Sequence, residues 1–252
     1  MYRIMQENML QSLSIVCLLS FIPAPGNAQI PDEFTNLQVL PKDISKAELI
    51  GNMKSFAGGL GVRCQFCHVG EEGQPLSEFD FVSDEKETKK KTRVMIQLRE
   101  AINKQFLTQL GNETEHTIQV NCVTCHRKQS KPRMLGDVLS EEISQQGIEA
   151  GITKYRELRQ QYYGGFSFDF SERTLNKLAD RLVEQEKKPD EVIAVLKLNL
   201  EFYPDSWMTY YGLGEIHAMK EDKEKAIENY EKAYALQPNP RIKRKIEELS
   251  QK

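Results

Sequence analysis

Apolar side chains recur every three or four residues over much of this chain, the period of one helix face. The first clear case is "SKAELIGNMKSFAGGLG", where Leu49, Met53, Phe56 and Leu60 make one row with Ile50 and Ala57 beside it. Ser45 and Glu48 form an S-x-x-E capping box at its start, and Gly58 and Gly59 offer a stop. The preceding stretch, "IPDEFTNLQVLPKD", reads as extended. After a polar loop over Gly70–Lys91, a second helix is predicted from about Thr88 to Leu110. Its stripe is Val94 or Met95, then Leu98, Ile102, Phe106 and Leu110. "GNETEHTIQ" breaks that pattern. Neither unit alternates in the manner of a half-buried strand.

From Glu141 onward the pattern stays helical, beginning with a segment at Ile148–Tyr163. Between Trp207 and Pro240, the residues Tyr210, Leu213, Gly214, Ala226, Tyr230 and Ala233 fall at the spacing of a helix–turn–helix unit of about 34 residues. His217 takes a packing position in that unit, and Pro238 closes it. This resembles a tetratricopeptide repeat. Leu175 to Pro204 reads as a degenerate copy, and "NPRIKRKIEELSQK" as a polar closing helix. The expected fold is therefore mainly α: a small helical domain over 29–140, then tetratricopeptide-like hairpins over 141–252.

The N-terminus changes the picture of where the chain works. Arg3 precedes an eleven-residue apolar run, Ser12–Ile22, too short for the roughly 20 residues a membrane helix needs. "PAPGNAQ" follows, with Gly26 and Ala28 placed for cleavage before Gln29. Residues 1–28 are thus expected to be a secretory signal peptide, leaving a mature periplasmic chain with no transmembrane span. Cys17 lies within the run, and Val16 before it argues against a lipid site. Formal net charge is −3, and neither half carries the basic excess of a nucleic-acid binder. The Lys86–Lys91 run has acidic residues interleaved and reads as a solvated helix start.

The remaining four cysteines fall into two copies of one arrangement, "CQFCH" at Cys64–His68 and "CVTCH" at Cys122–His126. C-x-x-C-H is the signature of covalent haem attachment. Two thiols three positions apart reach the two vinyl groups on one porphyrin edge, and the adjacent imidazole reaches the iron. A four-cysteine zinc site and two redox-active disulfides compete. Neither needs the histidine, and the 54 residues between the pairs exceed the roughly 15–20 of zinc ribbons. Two c-type haems are therefore expected, on Cys64 and Cys67 and on Cys122 and Cys125, with His68 and His126 as proximal ligands.

The sixth ligands are less directly written. Met53 stands fifteen residues before His68 on the capped helix, and Met95 stands 31 before His126 on the second. A core-filling role competes for Met53. His116, ten residues before His126, and Met134 just after it are alternatives at the second iron. An apolar pocket from Leu49, Phe56, Phe66 and Phe106 is expected to limit water at the haems.

"NLQVLPKDISKAELIGNMKSFAGGLGVRCQFCHVGEEGQPLSEFDF", "TRVMIQLREAINKQFL" and "VNCVTCHRKQSKP" resemble the cytochrome subunit of photosynthetic reaction centres, and more closely the dihaem c-type cytochromes related to half of it. The resemblance covers about residues 36–133. It implies a helical electron carrier between periplasmic or membrane partners, with a methionine on the helix before each motif as sixth ligand. Met53 fits that place, and Met95 fits the corresponding helix of the second unit. The reaction-centre subunit has four haems and no repeat extension, so a photosynthetic role does not follow. The expected function is electron transfer between redox partner proteins, with the repeat region serving docking or assembly. A peroxidase- or reductase-like haem enzyme with one labile ligand and a redox-sensing repeat module are the alternatives.

Overall fold

The computed structural model describes residues 30–110, 118–185 and 189–251. Among these, secondary structure is helical, with one isolated antiparallel bridge between Val69 and Asp80. The expected leader over 1–28 lies outside them. No helix among the described residues is long and apolar enough to cross a membrane.

Helix α1 spans Lys46–Leu60. The Ser45 side chain accepts a 3.2 Å hydrogen bond from the Glu48 N–H, satisfying one free donor of the first turn. The helix runs through Gly58 and Gly59 and ends at Gly61, which takes a left-handed conformation at φ 67°. Gly59 serves packing instead: a Cβ there would lie 2.9 Å from both Cys122 Cβ and the Val123 nitrogen.

Helix α2 spans Glu87–Ala101 and continues as a π turn over Ile102–Phe106 and a 3₁₀ turn to Leu110. The π turn holds Asn103, whose side chain donates to the Val120 carbonyl and accepts from the Val120 N–H, both at 2.8 Å. The predicted stripe is not this helix's buried face. Ile96 and Lys89 are buried, with Arg93 partly covered between them, while Val94, Met95, Leu98, Phe106 and Leu110 are exposed. The wider π turn also changes the residue register, so Phe106 does not continue a straight 3.6-residue stripe.

Helix α3 is the second motif itself, Cys122–His126. Arg127 and Lys128 follow at φ 50° and 62°, a left-handed reversal that non-glycine residues seldom make. The reversal is docked on α1, because the Lys128 N–H donates to the Gly59 carbonyl at 3.0 Å.

The rest is a row of antiparallel hairpins: α4 (Leu135–Gln146) with α5 (Ile148–Tyr162), α6 (Glu172–Glu184) with α7 (Pro189–Phe202), and α8 (Trp207–Met219) with α9 (Lys223–Leu236), closed by α10 (Pro240–Ser250). One apolar core runs from Leu135 to Ile216, with Leu139, Tyr155, Leu175 and Leu182 almost wholly buried. Each such leucine contributes about 1.5–3 kcal/mol by leaving water. A second cluster joins Ala226, Tyr230, Ala233 and Ile242. The Tyr230 ring fits because Gly214 has no Cβ, which would sit 2.6 Å from the ring.

Candidate functional site

The first motif closes on itself within one turn. Cys64–Phe66 forms a 3₁₀ turn, and the Cys64 carbonyl accepts from the N–H groups of Cys67 and His68 at 3.2 and 2.9 Å. The N-terminal turn of α2 ties this turn down: Lys86 donates to the Gln65 carbonyl and Thr88 to the Phe66 carbonyl. Cys67 Sγ lies 3.5 Å from Thr92 Oγ1.

Beside it is an apolar cavity of about 230 Å³ between α1, α2 and the 30–40 segment. Met53, Phe56, Cys64, Cys67, His68 and Ile96 all line it. Of the expected pocket residues, Leu49 and Phe56 are buried there, Phe66 is only partly covered, and Phe106 is exposed. Phe81 stands in for them, its ring edge-on to the His68 ring with centroids 4.9 Å apart. Burial, and then the cations Lys89, Arg93 and Lys86, lower the His68 pKa to about 4. The imidazole is therefore neutral at pH 7, the state in which histidine binds metals. Its Nδ1 is buried without a hydrogen-bond partner.

The Phe81 loop is held by a residue that sequence reading assigned to solvent. Lys89 is buried and donates to the carbonyls of Phe81, Val82 and Ser83 at 2.9, 3.2 and 2.7 Å. Asp84 pairs with Lys89 at 3.3 Å and Arg93 at 2.8 Å. The Arg93 hydrogen bond holds the Asp84 carboxyl well below the usual carboxylate range. Lys90 and Lys91 do face solvent. The signal was present in the spacing, since 86, 89, 93 and 96 share one helix face.

The second motif, like the first, pairs an exposed cysteine, Cys125, with a partly covered one, Cys122, whose thiol pKa is pushed up by burial. His126 Nδ1 lies 2.9 Å from the Gln129 carbonyl. A carbonyl only accepts, so Nδ1 carries the proton and Nε2 keeps a free lone pair. Met95 is 44% exposed and does not line the first cavity. Met134 is exposed beside α4, and His116 lies outside the described residues. His217 sits in the repeat, its Nδ1 3.7 Å from Asp222 Oδ2. No disulfide joins the four cysteines of the two motifs. No group of three or more His, Cys, Asp or Glu side chains converges for a metal among the described residues, so the two pairs do not form one four-cysteine cluster.

These features define a helical protein with repeat hairpins and an apolar cavity set beside a Cys-x-x-Cys-His turn. The chain belongs to the photosynthetic reaction centre cytochrome c subunit family, whose model matches residues 7–199. A tetratricopeptide repeat model matches residues 207–240. No curated protein matches the chain. Membership implies a c-type cytochrome of electron transfer with covalently bound haem, and the repeat implies contact with other proteins.

The residues fit that group. At the first motif, Cys64, Cys67, a partly buried neutral imidazole and Met53 border one apolar cavity. At the second, the Gln129 carbonyl occupies Nδ1 and leaves Nε2 for a metal, the arrangement by which outer partners orient a histidine ligand.

Proposed function

We propose that this chain is an exported dihaem electron carrier. Cys64 and Cys67 hold one haem and Cys122 and Cys125 the other, with His68 and His126 as proximal ligands. Met53 is the sixth ligand at the first site and Met95 at the second. When bound, the haem supplies the one-electron chemistry of its iron. The protein's part is to orient the ligands and exclude water. Phe56, Phe81 and Ile96 keep the first site apolar, and Lys89 fixes the loop that carries Phe81.

The observation that carries this reading is the shared cavity of Met53, Cys64, Cys67 and His68. The second site is supported by the hydrogen bond that holds His126 Nδ1 on the Gln129 carbonyl, and by Met95 and Leu98, exposed one turn apart on α2. Residues 1–28 are assigned as the leader, cleaved near Ala28, which places the mature chain in the periplasm. Residues 29–140 form the haem-bearing part and 141–252 the helical part, whose repeat docks a protein. The partners are an electron donor and acceptor.

The Met53→Ala variant tests the ligand assignment. Its reduced form is expected to bind carbon monoxide at one iron where the wild type does not. Unchanged inertness removes Met53 from the coordination shell. A second reading rests on the exposure of Met95: an open second iron would make this a peroxidase- or reductase-like haem enzyme. Carbon monoxide binding by the unmodified reduced protein is the result that favours it.

A further inference from the structure

The helical region reaches the second motif through one side chain. Gln129 Nε2 donates to the Ser167 carbonyl at 2.6 Å, across 38 residues of sequence. Ser167 is buried in the turn between α5 and α6, and its neighbour Phe168 packs on the helical core. The backbone carbonyl of the same Gln129 accepts from His126 Nδ1 at 2.9 Å. One residue thus grips the helical region with its side chain and the axial imidazole with its main chain.

The local backbone serves this contact. Arg127 and Lys128 are both left-handed, a conformation costing about 1–2 kcal/mol per L-residue. That double reversal folds the chain back so that the Gln129 N–H meets the His126 carbonyl at 2.8 Å and its carbonyl meets the ring. Strain of this kind persists only where surrounding contacts over-determine it. Three contacts do so here: Lys128 N–H on the Gly59 carbonyl, the Lys128 ammonium over the Phe166 ring at 5.4 Å, and Gln129 on Ser167.

We infer that Gln129 is a positioning residue for the His126 ligand, anchored by the helical region, so that the helical region is a working part of the second haem site. This rests on the dihaem reading above. The hydrogen bond at Nδ1 raises the basicity of the imidazole and fixes its ring plane. A more basic ligand favours the oxidised iron. Loosening Gln129 therefore raises the potential of the second haem and leaves the first unchanged.

The test compares full-length wild type, Gln129→Ala and Gln129→Met, each made with the haem-attachment machinery. Methionine keeps the length and neutrality of the side chain and lacks the N–H donor. Haem-to-protein ratio is measured first, then both midpoint potentials by redox titration. In Gln129→Ala one wave is expected to move positive by up to a tenfold change in the reduction equilibrium, about 59 mV for one electron. Gln129→Met moves the same wave in the same direction. Two haems with both waves unmoved overturn the inference, as do equal shifts of both waves or a methionine variant that behaves like wild type. Fewer than two haems on the wild type overturn the dihaem reading itself, and the ratio shows this separately.

Discussion

His68 and His126 have the same local motif and different surroundings. His68 packs edge-on against Phe81 with its Nδ1 unpartnered, and His126 has its Nδ1 held by a carbonyl. The motif alone fixes the spacing of thiols and imidazole, so the six residues of the proposed attachment sites can be picked out from sequence. The support was not, because Lys89 looked like one of a solvated run. It is buried because three carbonyls and Asp84 together satisfy its ammonium group. Replacing it with methionine leaves those carbonyls without that donor, at about 1–3 kcal/mol for each that stays buried. The Lys89→Met variant is expected to unfold at lower denaturant concentration by circular dichroism, with unchanged unfolding as the contrary result. Gly59→Ala acts at the other motif. Its Cβ would press on Cys122 and Val123, an overpacking that typically costs about 1–3 kcal/mol. The expected outcome is poorer haem loading at the second motif, read by mass spectrometry of peptides carrying Cys122 and Cys125.

Single elements show what periodicity reveals and what it hides. Helix α1 and the hairpin α8–α9 followed from their apolar spacing, because their stripes do face a cavity or a core. Helix α2 did not. An apolar stripe has the same period whether it meets a core, a cofactor or water, and the strongest stripe on α2 is its exposed one. The buried side carries Lys89, Arg93 and Ile96, which a hydrophobicity count passes over. The π turn was equally hidden, since it depends on Asn103 meeting Val120, seventeen residues away. In the repeat, His217 is held below its ordinary pKa of 6.5 by burial, against a smaller upward pull from Asp222. Lys225, Lys220 and Lys197 add to the lowering. The unfolded chain then binds more protons as pH falls below about 6.5, so His217's contribution is present above that value and declines beneath it. Urea unfolding at pH 7.5 and pH 5.5 should show a smaller loss for His217→Phe than for the wild type. Equal losses would count against this role.

At the scale of the whole molecule, the family match reaches residue 199 and so takes in helices α4 to α6 and most of α7 as well as both motifs. The core of those helices begins at Leu135, nine residues after His126. Leu182 lies in that core, and Leu182→Ala should cost about 2–5 kcal/mol in chemical denaturation. If Gln129 joins the regions as inferred, the same variant also moves one midpoint potential. The central claim is that the chain carries two covalent haems. Its most direct measurement is the alkaline pyridine haemochrome spectrum of denatured full-length protein, made with the attachment machinery and set against protein concentration. The account predicts two c-type haems per chain. One haem would contradict the dihaem reading, and none would return both motifs to free thiols, disulfides or zinc.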